Sequence, residues 1–305
     1  MSGLPKRIEK SLSPTRFIRT SDSLFRQSYS NVSDYFKSHL SQMIVPNEIS
    51  NLVDRMPKVI GSLGYDPWGY NPNTAKVGLS ILKYFYDYYF KVKTNGLEYF
   101  PKQGKALVIA NHSGQLPLDG ILIGVALATN ENGPRAPRAM IERFAPQLPF
   151  IYSMLTGFGA VVGDPINCVK MLENDEAVIV FPEGVRGSGK PYKKRYQLQY
   201  MGTGFVRIAI KTQSPIIPVG VVGCEETMPS LGSIQFLAKM LSVPYVPITV
   251  PIPLPAKVYL NFGKPMIMTG NLDDEDEMKE KVEEVKLAIN DLIKEGLTQR
   301  GKKVF

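Results

Sequence analysis

Two stretches decide how this chain is read: Ala106-Leu107-Val108-Ile109-Ala110-Asn111-His112-Ser113-Gly114-Gln115-Leu116-Pro117-Leu118-Asp119-Gly120, and Ala177-Val178-Ile179-Val180-Phe181-Pro182-Glu183-Gly184-Val185-Arg186. Each opens on a short, uninterrupted apolar run and then turns polar. A run without alternation, bounded this way, fits a strand buried on both faces, as the strands of parallel sheets are. Polar clusters at the ends of two such strands predict one site built from loops. His112 is one of two histidines in the chain. The other, His39, falls in the basic N-terminal region, so His112 is the candidate proton carrier.

The same pattern spreads outward from these runs. After Gly96, strand candidates at 106–110, 137–141, 158–162, 177–181, 215–221 and 256–262 alternate with helix candidates. The helices fall at 118–129, 145–155, 165–174, 202–212, 230–241 and 273–296. Strand then helix, repeated, predicts an α/β domain over 96–305, with a mostly parallel sheet flanked by helices. In the last helix Met278, Val282, Val285, Ile289, Leu292 and Ile293 recur at spacings of three and four, which gives one apolar face. Residues 31–95 read as an N-terminal helical region. Within it Asp66-Pro67-Trp68-Gly69 forms part of a turn-rich linker, and Thr74 is the expected cap of a helix running to Lys91. Residues 1–30 are rich in Ser, Arg and Lys without hydrophobic period and read as a basic mobile segment.

Composition narrows the classes of function. The net charge is +8, which points to an anionic partner: a membrane surface, a phosphorylated substrate or nucleic acid. No nucleic-acid motif is present, and the acidic run at 273–280 breaks any uniformly basic face, so nucleic acid is not expected. Two cysteines, Cys168 and Cys224, make no disulfide framework and read as reduced core residues. The two histidines and two cysteines lie too far apart for zinc-ligand spacing; no metal and no bound cofactor are expected. The first residues are basic with no apolar run behind them, unlike a secretory signal. No stretch reaches the roughly 18–20 apolar residues of a spanning helix. Between Lys6 and Lys37 seven Lys or Arg face three Asp or Glu, and Tyr84-Phe85-Tyr86-Asp87-Tyr88-Tyr89 adds aromatics suited to a headgroup layer. Those aromatics suit packing on the α/β domain equally well.

The residues of the two clusters have a chemical reading. Imidazole accepts a proton near neutral pH, so His112 suits a general base. A carboxylate on its other ring nitrogen would fix the tautomer and stabilise the imidazolium, and Asp119 is placed for this. Alternatively Asp119 complements the dipole of the helix it opens, and His112 makes a loop hydrogen bond. The second cluster, with Lys190, Lys193, Lys194 and Arg195 behind it, is either an anion cradle or a solvated basic loop. Gly184 to Lys190 approximates a phosphate-binding P-loop, but Pro191 stands where the magnesium-holding hydroxyl belongs. A serine hydrolase would need a Gly-x-Ser-x-Gly elbow, which Gly187-Ser188-Gly189 does not supply.

Together these motifs resemble the glycerolipid acyltransferase family, over roughly residues 90–265. Asn111-His112 with Asp119 is similar to its first block, and 157–162, Gly-Phe-Gly-Ala-Val-Val, to its second. Phe181-Pro182-Glu183-Gly184-Val185-Arg186-Gly187 matches the third, and Ile216-Ile217-Pro218-Val219 the fourth. Asp66-Pro67-Trp68-Gly69, Tyr196-Gln197-Leu198-Gln199 and Gly223-Cys224-Glu225-Glu226 look like a bacterial branch related to monoacylglycerol acyltransferase-like members. The resemblance implies a glycerolipid acyltransferase fold. It implies transfer of a fatty acyl group from a thioester, acyl-CoA or acyl-acyl-carrier-protein, to the hydroxyl of a glycerolipid or other lipid alcohol. His112 would be the base and Asp119 its partner. Phe181, Pro182, Glu183, Gly184 and Arg186 would bind the acceptor, with Glu183 bonding acceptor hydroxyls or holding the loop. Lys190, Lys193 and Arg195 would contact the donor or another anion. The implied partners are a lipid acceptor, an anionic membrane surface on the cytoplasmic, inner face of a membrane, and acyl carrier protein. The alternative is a non-catalytic membrane-surface lipid-binding protein of the same fold.

The chain departs from the family at several positions. Six residues separate His112 from Asp119 where four are usual. Gly163-Asp164-Pro165 follows the second block where an arginine is usual, and Val185 and Gly187 replace hydroxyl residues of the third. These changes shift the expected acceptor from lysophosphatidate toward a neutral glyceride or other lipid alcohol. Arg186 retains a contact for a phosphorylated one.

Overall fold

The apolar run Ala106–Ala110 becomes strand β2, and every one of its residues is buried. The computed structural model describes residues 45–113, 117–143, 151–234, 236, 240, 246–302 and 304. The segment expected at 1–30, and residues 31–44 of the expected helical region, lie outside the described residues. From Pro46 onward the chain is one compact unit.

Helix α1 spans Asn47–Arg55, and α2 Pro72–Tyr84, which continues into a π-helical turn at Phe85–Tyr89. Then come β1 (Lys93–Asn95), β2, α3 (Leu118–Ala128), β3 (Pro137–Ile141), α4 (Ile151–Gly157) and β4 (Val161–Val162). Helix α5 (Pro165–Glu173), β5 (Ala177–Val180), α6 (Val185–Ser188), α7 (Gly204–Thr212), β6 (Ile216–Val222) and α8 (Cys224–Thr227) follow. The chain closes with β7 (Gly232–Ser233), β8 (Pro247–Ile248), β9 (Tyr259–Phe262) and the long α9 (Glu275–Arg300).

Seven strands form one sheet in the order β1-β9-β6-β2-β5-β3-β4. All neighbours in it are parallel except β6 and β9, which are antiparallel. The expected mostly parallel sheet flanked by helices is therefore the observed one. Strand alternation sends successive side chains to opposite faces. Leu107, Ile109, Val178 and Val180 meet Cys168 and Leu172 of α5, Phe205 of α7 and Val285 of α9 on one face. On the other face Gly124 of α3 stands against Pro137 of β3, and α2 packs on α3 and α4.

Helix ends follow side-chain capping. Asp274 accepts from the backbone amides of Asp276 and Glu277 at the start of α9, and Asp164 does the same for Ile166 in α5. In α2 the cap is Asn71, whose side chain accepts from the Thr74 amide. Thr74, expected as the cap, is three positions inside, because Pro72 pre-sets the first helical turn. Two further expectations change. Residues 232–233 form β7, paired antiparallel with β8, and not the helix expected from 230; most of 235–245 lies outside the described residues. The strand expected at 158–162 is confined to Val161–Val162, because Gly159 turns the chain at φ +98°. A Cβ there would lie 2.3 Å from the Pro137 carbonyl oxygen, a position that demands glycine.

The stretch around Trp68, expected as a linker, is instead anchored to the sheet. Asp66 is buried and accepts from the amides of Trp68 and Tyr70, each at 2.8 Å. Its other oxygen pairs with the Arg138 guanidinium of β3, which also donates to Glu176 at 2.7 Å. The Tyr70 ring lies 5.3 Å from that guanidinium.

Candidate active site

The site forms where β2, β5 and β3 end. Asn111 first secures the loop after β2. Its fully buried side chain donates to the Val221 carbonyl at 3.0 Å and accepts from the Val221 amide at 2.7 Å. A side chain thus continues the β2–β6 ladder one step past the strand and fixes where the next residue starts.

That residue is His112. Its Nδ1 lies 2.7 Å from Asp119 Oδ2. The longer gap does not keep the pair apart: Asp119 falls in the first turn of α3, whose N-terminus returns beside β2. Asp119 is fully buried and both oxygens of its carboxylate are hydrogen-bonded. Oδ2 also accepts from the Ser113 amide, and Oδ1 from the Gly120 amide, both at 2.7 Å. One carboxylate thus bonds the Ser113 and Gly120 amides and holds the imidazole. The His112 side chain keeps 13% exposure and lines a large cavity. With Nδ1 engaged, Nε2 is the nitrogen left for a substrate. The Phe181 ring stacks on the imidazole at 4.4 Å.

Burial alone would hold the His112 pKa down. The charge of Asp119 and its hydrogen bond, followed by the charges of Glu183 and Glu142, outweigh it and carry the imidazole above its ordinary value.

Glu183 holds the loops together. Its buried carboxylate accepts from the His112 amide at 2.8 Å and the Gln199 amide at 2.6 Å. Of the two roles expected for it, the structure displays the loop-holding bonds. Gly187 explains one departure from the family pattern. A Cβ at Gly187 would lie 2.7 Å from Glu183 Cβ and 2.8 Å from His112 Cβ. Any side chain there would push on the imidazole.

The expected cations separate. Arg186 is exposed, with its guanidinium 5.3 Å from the Tyr200 ring. Lys193 and Arg195 are exposed as well, Arg195 over the Tyr192 ring at 4.6 Å. Lys190 departs from expectation: it turns inward, its ammonium 2.7 Å from Glu225, both side chains buried. An anion contact there would require breaking that pair. Glu225 also accepts from the Tyr196 amide, and Glu226 accepts from the Tyr196 hydroxyl and from Arg300 at 2.6 Å. The stretches 196–199 and 223–226 thus brace the loop that carries Gln199.

Sequence reasoning missed Glu142 and Arg143. They follow β3 as Asn111-His112 follow β2, and both line the same cavity. Arg143 is 73% exposed and reaches Asp164 at 3.2 Å. It brings a cation beside Gly163-Asp164, where the sequence itself carries none. A polar pair at the end of a third buried strand was the available signal.

The cavity holds about 800 Å³ and is mainly apolar, within the usual range for a ligand pocket. Among the described residues no group of His, Cys, Asp and Glu is arranged to hold a metal.

Residues 91–222, which contain His112, Asp119, Glu142 and Glu183, match the family model Acyltransferase. This segment is an acyltransferase domain. A protein of Mycobacterium tuberculosis described as uncharacterized is 33% identical over 72% of this chain and 66% of its own length. A Bos taurus protein named DGAT1/2-independent enzyme synthesizing storage lipids is 26% identical over 65% of this chain and 59% of its own. The crystal structure of the 1-acyl-sn-glycerophosphate (LPA) acyltransferase PlsC from Thermotoga maritima matches with a TM-score of 0.48 at 20% identity, over 72% of this chain and 82% of that one. The chain thus spans about two thirds or less of the length of these curated relatives. Within the acyltransferase domain, His112 follows β2 and Asp119 opens α3, and the sheet brings them beside Glu183 of the loop after β5.

Proposed function

We propose that this acyltransferase moves a fatty acyl group from a thioester to a lipid hydroxyl, with His112 as general base. The observation that carries this reading is the Asp119–His112 pair at 2.7 Å, opening on an apolar cavity that suits an aliphatic chain. In the step, Nε2 takes the hydroxyl proton as the oxygen attacks the thioester carbonyl. The C–O bond forms, the C–S bond breaks, and the imidazolium returns its proton to the departing thiolate. Asp119 stabilises the imidazolium and keeps the ring oriented without itself being protonated. Phe181 fixes the other face of the ring.

Glu142 and Arg143 line the mouth where an acceptor headgroup would meet water, and Arg186 stands exposed on the loop that carries Glu183. The name of the bovine relative, with its storage lipids, favours a neutral glyceride as acceptor, whereas Arg143 beside Asp164 supplies a cation where the family's arginine is missing. The test is a panel: monoacylglycerol, diacylglycerol and lysophosphatidate, each offered with acyl-CoA and with acyl-acyl-carrier-protein. Ester should appear mole for mole with free thiol for at least one pair. Thiol release accompanied only by free fatty acid, with no ester formed from any acceptor, would overturn the transferase reading. Arg186→Ala should raise the acceptor's KM with kcat retained, as loss of uniform binding does. Unchanged kinetics for all three acceptors would remove Arg186 from the site.

Such substrates sit in bilayers, and the described residues contain no helix long and apolar enough to span one. The aromatic run resolves into two faces: Tyr86 and Phe90 are buried, whereas Tyr84 and Tyr88 are 62% and 67% exposed, flanked by exposed Ile81 and Phe85. We assign this exposed face to peripheral membrane contact, helped by the basic charge. Serine at Tyr84, Phe85 and Tyr88 together should weaken binding to anionic vesicles while leaving the fold intact. Retained binding would place the contact surface elsewhere.

A further inference from the structure

The cavity that reaches His112 does not lie on one side of the sheet. One part is lined by Gly120, Gly124 and Ala128 of α3 with Leu79 of α2 and Met56 after α1. Helix α3 covers the face that carries Pro137 and Phe181. Another part is lined by Leu107, Met140 and Val180 with Cys168 of α5 and Phe205 and Ile208 of α7. Those strand residues point to the opposite face, because Met140 and Val180 alternate with Ala139 and Phe181 along β3 and β5. The pairing places Leu107 beside Val178, and Val178 beside Arg138, so Leu107, Val180 and Met140 share that face. The cavity therefore has two lobes that pass over the carboxyl edge of the sheet and meet at His112. From Gly120 to Ala128 the first runs about 12 Å. From Val180 down to the level of Leu107, which pairs with Val178, the second runs roughly 7 Å.

We propose that the two lobes are separate sites for two aliphatic chains: the α3 lobe for the acyl chain of the thioester, and the α5–α7 lobe for a chain already esterified to the acceptor. This rests on the transferase reading and deepens it, since it makes the acceptor an acylated lipid whose own chain is held inside the protein. The assignment follows the polar groups at the mouths. The α3 lobe begins at Pro117 and Gly120, directly beside the stacked His112 and Phe181. The α5–α7 lobe begins at Gly163, Asp164 and Pro165, beside Glu142 and Arg143. Arg143 is exposed there, so a headgroup can stay in water while its chain goes inward. Burial pushes the Cys168 thiol up to about 12, which leaves the wall of that lobe uncharged at any physiological pH.

The wild-type, full-length protein supplies the first test. Calorimetry would measure binding of a long-chain monoacylglycerol with and without saturating long-chain S-alkyl-CoA, a thioether that cannot transfer. Two separate lobes predict that the acceptor still binds, with its Kd unchanged. Mutual exclusion would overturn the proposal. This arm needs no turnover, so it stands apart from failure of the transferase reading itself, which the absence of ester in every assay would show. Variants then assign the lobes. Cys168→Phe should lower kcat/KM for the long-chain acceptor by at least about tenfold, spare a short-chain acceptor, and leave donor chain preference alone. Ala128→Phe should instead shift donor preference to shorter chains. A changed donor preference in Cys168→Phe would overturn the assignment, and the wild-type competition decides the matter if that variant fails to fold.

Discussion

Replacing His112 by alanine is expected to slow acyl transfer about 10²–10⁴-fold, the share that a positioned general base supplies. That corresponds to roughly 3–5 kcal/mol of transition-state stabilisation. The chain should still fold, because the fixed points around His112 are not its own side chain. Asn111 is held by Val221, and the His112 backbone amide is held by Glu183. The cost to stability is confined to lost stacking on Phe181 and a freed Asp119 oxygen that keeps its bond to the Ser113 amide. The measurement is the initial rate of ester formation by a variant whose circular dichroism and melting match the parent. A rate within about threefold of the parent, far short of the general-base range, would remove His112 from the mechanism.

Arg138→Ala is expected to destabilise the protein by about 3–5 kcal/mol, the cost of breaking a buried ion pair from one side. The guanidinium is 1% exposed and Asp66 2%, so removal strands a buried carboxylate. It also unfastens the turn that Asp66 organises through Trp68 and Tyr70. Against a total of roughly 5–15 kcal/mol, such a loss is large. A double-mutant cycle with Asp66→Ala in urea isolates the pair, and the double variant should recover part of the loss. A cost below about 1 kcal/mol, the range of exposed pairs, would show that the turn is held by other contacts.

What was legible in the sequence follows from distance along the chain. Strands β2 and β5 announce themselves because a parallel interior requires unbroken apolar runs. Helix α9 does so because its period is local, with Met278, Val282, Val285, Ile289 and Ile293 all buried. Strand β1 was not legible. Lys93-Thr94-Asn95 has no apolar run and is a strand only because β9 offers a partner, Lys93 opposite Tyr259. The anchoring of the Trp68 turn depends on Arg138, and the inward turn of Lys190 depends on Glu225. Neither partner can be seen from the local sequence.

The site divides in the same way. The candidates His112, Asp119 and the 181–186 loop were readable as types at the ends of strands. Their meeting was not, since six residues intervene and only the placement of α3 closes the gap. Glu142 and Arg143 went unread because β3, with Pro137 and Arg138 in it, lacks the apolar run that drew notice to its neighbours. The two-lobed cavity has no sequence signal at all. Its lining comes from α2, α3, α5, α7 and three strands, which lie far apart along the chain.

The pH dependence of kcat/KM, compared between the parent and Asp119→Asn, tests the central claim most directly. His112 must be neutral to accept a proton, and its surroundings hold it above the ordinary value of about 6.5. Activity should therefore fall away as pH drops through a point above that value. Asparagine at 119 removes the leading influence that raises the imidazole, so the acid limb should move to lower pH even as the plateau rate drops. A limb that stays in place in Asp119→Asn, or one that persists unchanged in the residual activity of His112→Ala, would contradict the assignment of His112 as the base.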